Sequence, residues 1–326
     1  MLPFVFLCVA AVPLPPGVSP DLFPGAADVP TAEVQLAGIA ALYPGHILHA
    51  PPLANDPANT GRAPLISDLP RNTTYLRIYD LGAAHTLQSL SDALAKYPAV
   101  ILDLRYVVAD EKAAAAFAQV LSRAGLASAP LHGLGEMPEP DALPGPGVQD
   151  ANHTPPVVLA MVNGKTAGPL EAWLEVFQEK ESMLAVGTTT AGQPGIYDKY
   201  LGFPDYYIIK GELQPESGSL VGIGLKPRFL VEVTPEQNYL AYTSVERGTV
   251  DIASMLRHDR TTAVATPAGT GAAATTTTTT VEAADPVLQR AVDVVAALQV
   301  LGRVPSSTTT GAAKAPANAT SSPVER

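Results

Sequence analysis

A short polar turn between an apolar run and a helical pattern is the part of this sequence best placed to do chemistry. It lies within VVLAMVNGKTAGPLEAW, residues 157–173, and a turn between a buried strand and a helix is where many hydrolases hold a nucleophile. The turn carries Lys165 and Thr166, and a hydroxyl beside a desolvated lysine amine could form a dyad for acyl transfer. Ser182 and Lys199 are a further hydroxyl and a further amine that such a dyad could use. We expect Lys165 to be solvated in its polar turn, and Thr166 to bond to nearby backbone.

The elements that must position this turn follow from hydrophobic periodicity. Short apolar runs with the length of buried strands alternate with segments whose apolar residues recur at helical spacing. The strand-like runs are YLRIYDL, AVILDLR, VVLAMVN and MLAVG, and the helical segments are TLQSLSDALAKY, EKAAAAFAQVLSRAG and the segment from 169 to about 180. This alternation predicts an α/β fold with parallel strands, right-handed crossovers and helices that cover the sheet. The later runs YYIIKGEL and RFLVEV predict a β-rich C-terminal part.

Composition changes along the chain divide it into segments. Residues 12–73 are rich in Pro and Ala and predict a lightly structured lead-in whose one helix is AEVQLAGIAALY, and the core is expected to span 74–258. The Thr/Ala-rich stretch 259–281 has too few large apolar residues to fold and predicts a linker. Residues 282–303 predict a helix with Asp285 as its cap and Pro286 at its first position. The tail 304–326 is expected to be disordered.

Charge and cysteine content exclude several classes of function. The net charge is −11 and the first basic residue is Arg62, so no basic stripe is present to bind nucleic acid. The apolar N-terminus predicts a signal peptide of residues 1–11 and an exported protein, periplasmic or extracellular. No other run approaches the roughly 20 apolar residues of a membrane span. The single cysteine, Cys8, excludes an intrachain disulfide and a cysteine-based metal site, and the pair His46 and His49 has no further ligand placed to complete one.

Five blocks of the sequence, in this order, resemble motifs of the C-terminal processing peptidases, also called tail-specific proteases. The blocks are YLRI with VILDLR, VVLAMVNGKTAGPLE, LAVGTTTAGQPG, GIGLKPRFLVEV and DPVLQRAV, and together they span residues 74–301. The resemblance implies a ClpP/crotonase-like core that cuts unstructured C-termini with a serine/lysine dyad. Family members often carry an inserted peptide-binding PDZ module before the core. The Pro/Ala-rich lead-in is too short and too poor in strand and helix patterns to form one, so we expect none.

The resemblance places unreactive residues at the family's catalytic positions. Gly168 stands where the nucleophilic serine belongs, and Gln193, 25 residues later, stands where the lysine base belongs. The family's oxyanion hole uses the backbone N–H that follows the nucleophile, which is here Pro169 and has no N–H. Its second donor comes from a glycine loop that here contains Ala109 and Asp110, and a carboxylate there repels the developing anion. Loss of the nucleophile alone costs roughly 10⁶ in turnover.

Glu171 is the one position that matches the family's supporting acid. It lies in the first turn of a predicted helix, where a carboxylate meets the positive end of the helix dipole, so we expect a structural role. The sequence therefore predicts a non-catalytic homologue that binds extended polypeptide or a protein C-terminus by strand addition, or that serves as an assembly partner. The alternative is an active serine endopeptidase that uses the displaced residues Thr166, Lys165 and Lys199. A crotonase-like hydratase or thioesterase would need the same oxyanion amides, and neither a cofactor nor a metal is implied.

Overall fold

The computed structural model of the chain describes residues 32–128, 131, 154–246, 252 and 285–303. The predicted signal peptide, linker and tail lie outside the described residues. The helices are α1 (Ala32–Leu42), α2 (Ala84–Lys96), α3 (Glu111–Arg123), α4 (Leu170–Glu179), α5 (Pro235–Glu246) and α6 (Pro286–Val300). The strands are β1 (Ile47–Leu48), β2 (Leu65–Leu69), β3 (Thr73–Arg77), β4 (Ala99–Asp103), β5 (Val157–Val162), β6 (Met183–Gly187), β7 (Gly195–Tyr200), β8 (Phe203–Glu212) and β9 (Phe229–Leu230).

Six of the strands form the main sheet, in the order β2-β3-β4-β5-β6-β9. All neighbours from β3 to β9 are parallel, and β2 adds an antiparallel edge. Every residue of β3 and β4 is buried, as expected for parallel strands covered on both faces. The predicted mixed α/β architecture with a parallel sheet is confirmed. The sheet begins earlier than expected, because β2 lies in the segment predicted to be a lead-in.

Helices cover both faces of this sheet. The crossover helices α2, α3 and α4 bury Leu90, Phe117 and Phe177 in one apolar cluster against the first face. Helix α6 buries Val287 and Leu288 in a second cluster against the opposite face. None of the helices in the described ranges is long and apolar enough to cross a membrane. Because helices cover both faces, ligands can approach the main sheet at the ends of its strands. In α/β folds they bind at the carboxyl ends of the parallel strands.

A buried ion network joins the first and the last of the five sequence blocks. Arg105 Nη2 lies 2.7 Å from Asp103 Oδ2 and 2.8 Å from Asp285 Oδ2. Arg77 Nε lies 3.2 Å from the same Asp103 oxygen, which also accepts a hydrogen bond from the Tyr75 hydroxyl. Burial alone would raise the pKa of Asp103, but Arg105 and Arg77 outweigh it and hold that pKa well below its usual range. Residues far apart in the sequence thus form one buried polar network.

Asp285 connects this network to the start of α6. Besides pairing with Arg105, its Oδ1 accepts hydrogen bonds from the backbone N–H groups of Val287 and Leu288, at 3.1 and 3.0 Å. The predicted cap is confirmed, and its carboxylate does more than the sequence indicated. A single side chain thus begins the helix and anchors it to the sheet.

Candidate functional site

A cleft of ≈ 610 Å³ lies at the carboxyl end of the main sheet. Its walls are the loops that follow β4, β5 and β6, the first half of β7, and residues 52–55 from the segment between β1 and β2. Five of the positions singled out in the sequence line this cleft: Gly168, Gln193, Pro169, Ala109 and Asp110. The motif spacing therefore identified groups that are neighbours in space.

The two positions that match the family dyad touch through their backbones. The N–H of Gly168 donates to the carbonyl oxygen of Gln193 at 3.0 Å. Gly168 has φ +84°, a left-handed conformation that side chains other than glycine adopt only at a cost. A Cβ at this position would lie 2.1 Å from the carbonyl oxygen of Ala109. The backbone of the β4 loop thus fills the space that a nucleophilic side chain would need.

The groups at the oxyanion positions are used for structure. The N–H of Ala109 donates to the carbonyl oxygen of Ala167 at 3.3 Å, and Pro169 has no N–H to donate. Asp110 caps α3, with its Oδ1 accepting from the N–H of Ala113 at 2.8 Å. Two oriented N–H donors are the usual means of stabilising a tetrahedral intermediate; Pro169 lacks this donor, and the N–H of Ala109 is already bonded to Ala167.

Glu171 is fully buried and shapes the loop that carries Gln193. Its Oε2 accepts from the N–H of Gly192 at 2.9 Å, and its Oε1 accepts from the N–H of Gln193 at 2.8 Å. The hydroxyl of Thr190 also donates to Oε2 while accepting from the N–H of Leu225 at 2.7 Å. Burial raises the pKa of Glu171 from 4.5 to about 7, although these hydrogen bonds lower it in part.

We expect Glu171→Gln to remove a pH dependence of stability. Because the pKa of Glu171 is higher in the native state, its contribution to stability is full below pH 4.5 and is lost as the pH rises to about 7. A shift of this size corresponds to roughly 3 kcal/mol. Urea unfolding of wild type and variant should give a free-energy difference that changes by about this amount between pH 4.5 and 7.5. Glu236→Gln, at an exposed carboxylate in the first turn of α5, is the matched control, and a pH-independent difference for Glu171→Gln would contradict the expectation.

The displaced candidates do not assemble a second dyad in the described part of the chain. Thr166 is buried, and its hydroxyl donates to the Leu104 carbonyl oxygen at 3.0 Å and accepts from the Asn163 N–H at 3.1 Å. Lys165 is exposed and lines a different cleft, of ≈ 560 Å³. Lys199 lies on β7, with its Nζ 5.9 Å from the centre of the Tyr207 ring.

Other hydroxyl and imidazole groups from the sequence analysis have structural contacts. Ser182 donates to the carbonyl oxygen of Ala127 at 2.6 Å. The His49 ring packs 4.6 Å from the ring of Tyr206, and the described residues contain no group of three side chains that could hold a metal ion.

Residues that the sequence did not identify also form the cleft. Leu53 and Asn55 reach into it from the lead-in, and Val108 takes part through its backbone N–H. No motif or periodicity marks these positions, because their role comes from backbone geometry and from a long-range approach of the chain.

No protein-family model and no curated protein sequence matches the chain. Solved structures are similar at low identity. The photosystem II D1 C-terminal processing protease is 18% identical, with 49% of this chain and 42% of that protein covered at a TM-score of 0.34. A lipoprotein from Streptococcus agalactiae is 14% identical, with 61% and 77% covered at 0.37. The tricorn protease is 13% identical, with 52% and 16% covered at 0.32.

The chain thus spans less than half of the first of these proteins. Two of the three are named as proteases, one of them a C-terminal processing protease, the family whose motifs the sequence resembles. At these TM-scores the comparisons assign neither a family nor an activity to the chain.

Proposed function

We propose that this protein is a non-catalytic homologue of the C-terminal processing serine peptidases, and that its cleft binds extended polypeptide. The observation that carries the proposal is the contact between Gly168 and Ala109. A carbonyl oxygen 2.1 Å from any Cβ at position 168 supports the absence of a nucleophile there, and the residues around it still line a cleft. A ClpP/crotonase-like core without a PDZ module, and export directed by residues 1–11, are parts of the same proposal.

One wall of the cleft is a strand to which an extended chain could pair. Strand β7 lies at the end of the three-stranded sheet, which has the order β1-β8-β7, and Gly195, Ile196 and Tyr197 on this strand line the cleft. A terminal strand offers unpaired backbone groups to an incoming strand, and backbone hydrogen bonds of this kind bind peptides with little dependence on their sequence. An unstructured polypeptide or a protein C-terminus is therefore the ligand class we propose.

An active enzyme with displaced residues is not favoured by any contact. Thr166 uses its hydroxyl in two backbone hydrogen bonds, so it would have to give up both in order to act as a nucleophile. Lys165 faces another cleft. A role as an assembly partner would place the binding surface outside the cleft, and substitutions in the cleft separate these two roles.

The proposal predicts saturable binding of an unstructured peptide without cleavage. Fluorescence anisotropy with labelled unstructured peptides measures binding, and mass spectrometry of the same mixture shows whether the peptide stays intact. Ile196→Asp places a charge in the apolar wall and should weaken binding about tenfold or more. Leu201→Asp is the control, because Leu201 is fully exposed at the tip of the β7–β8 hairpin. Equal binding by both folded variants would place the peptide outside the cleft, and an absence of binding to the wild type would contradict the proposal.

A further inference from the structure

A segment of the chain itself forms one wall of the cleft and bonds to the loops on the other walls. We call residues 52–55 the strap, because both of its ends are fixed. On one side, β1 pairs with β8. On the other side, a 3₁₀ turn (Pro57–Asn59) is capped by Asp56, and the N–H of Gly61 donates to the Asp80 carboxylate at 2.8 Å. The strap therefore joins two anchored parts of the chain along one wall of the cleft.

The strap uses the side chain at the position that matches the family's base. The N–H of Leu53 donates to Oε1 of Gln193 at 2.9 Å. The N–H and carbonyl oxygen of Gln193 are already bonded to Glu171 and Gly168, so the loop holds this carboxamide in position. Gln193 thus acts as a fixed acceptor for a backbone N–H in the cleft.

A second contact fixes the other end of the strap. The N–H of Val108 donates to Oδ1 of Asn55 at 2.8 Å. The neighbouring Val107 carbonyl oxygen and Ala109 N–H both bond to Ala167, and because alternate backbone groups of an extended strand point in opposite directions, the Val108 N–H is left to face the cleft. A carboxamide oxygen is chemically equivalent to a peptide carbonyl oxygen, so Asn55 supplies what an added strand would supply.

We propose that the strap is a built-in occupant of the cleft, and that the ligand bound in its place is an extended segment of the same chemistry. Such a segment offers a backbone N–H to Gln193 and, two residues later, a carboxamide oxygen to the Val108 N–H, as Leu53 and Asn55 do. The inference rests on the proposed peptide-binding function, and it adds the two groups that the peptide must offer and the control of binding by competition. A tethered segment has an effective concentration of the order of mM, so a free ligand must displace it.

The test uses a fluorescent peptide with the sequence of residues 49–58, HAPPLANDPA, and the full-length protein. Asn55→Ala removes one of the strap's two bonds, so this variant should bind the peptide at least tenfold more tightly than the wild type does. Asn59→Ala, in the adjoining 3₁₀ turn and outside the cleft lining, is the matched control and should bind as the wild type does. A peptide with N-methyl-leucine, which lacks the N–H for Gln193, and a peptide with alanine in place of the asparagine should each lose the gain.

The outcomes separate this inference from the proposed function. If unrelated unstructured peptides bind the wild type and Asn55→Ala equally well, the cleft binds peptides but the strap does not compete, and the inference is overturned. If no peptide binds either folded protein, the proposed function fails. If Asn55→Ala does not fold, hydrogen exchange of the wild type decides the matter. An excess of the peptide should then speed exchange at the Leu53 amide, and unchanged exchange with peptide bound would overturn the inference.

Discussion

Replacing Gly168 with serine is expected to restore no hydrolysis and to destabilise the protein by roughly 2–5 kcal/mol. Residues other than glycine pay about 1–2 kcal/mol for the left-handed conformation, and Gly168 has φ +84°. Forcing extra atoms into a packed site costs about 1–3 kcal/mol more, because the new Cβ would lie 2.1 Å from the Ala109 carbonyl oxygen. Adding Gln193→Lys, Pro169→Ala and Asp110→Gly should not recover activity, since none of them moves that oxygen.

The neighbouring glycine in the same turn provides the control for this prediction. A Cβ at Gly164 would meet its nearest atom, the Thr189 carbonyl oxygen, at an ordinary 3.7 Å. Gly164→Ser should therefore unfold at nearly the same denaturant concentration as the wild type. A Gly168→Ser protein as stable as Gly164→Ser, or one that hydrolyses peptide, would show that the loop after β4 leaves room for a nucleophile.

Replacing Asp285 with alanine is expected to cost roughly 3–5 kcal/mol, the usual effect of removing one partner from a buried ion pair. The loss leaves Arg105 buried with Asp103 as its remaining carboxylate partner, which Arg77 also contacts. It also removes the cap of α6, which adds about 1 kcal/mol. Denaturant unfolding monitored by circular dichroism measures the change.

Asp293→Ala is the matched control, because Asp293 lies on the same helix and is exposed, with Gln289 as its hydrogen-bond partner. We expect it to change the free energy of unfolding by less than about 0.5 kcal/mol. Similar unfolding curves for the two variants would mean that α6 is not anchored through Asp285.

Local patterns predicted much of the fold because local physics decides those elements. The alternation of apolar strands with amphipathic helices gave the parallel sheet, and the Asp285-Pro286 pair gave the start of α6. Helix α5 was not predicted, because it has no apolar stripe. Its buried side includes Asn238 and the backbone of Tyr242, which bond to Arg105 and Arg77 from distant parts of the sequence. Periodicity carries no sign of such long-range polar contacts.

The candidate site divides in the same way. Motif spacing predicted that Gly168 and Gln193 belong to one site, and their backbones are hydrogen-bonded to each other. The sequence showed a glycine at 168 but neither its positive φ nor the Ala109 oxygen beside it. The strap was expected to be part of a lightly structured lead-in, since Leu53 and Asn55 acquire their partners only through contacts with loops that follow much later in the chain.

The most direct test of the central claim is reaction of the purified wild-type protein with a fluorophosphonate probe, which forms a covalent bond with an activated hydroxyl nucleophile. Intact-mass measurement then detects any adduct, with an active serine peptidase labelled in parallel. Gly168 has no hydroxyl, and the hydroxyl of Thr166 is bonded to backbone. We therefore predict no increase in mass under conditions that label the peptidase completely. A stoichiometric adduct at any residue of this protein would contradict the proposal that the cleft is non-catalytic.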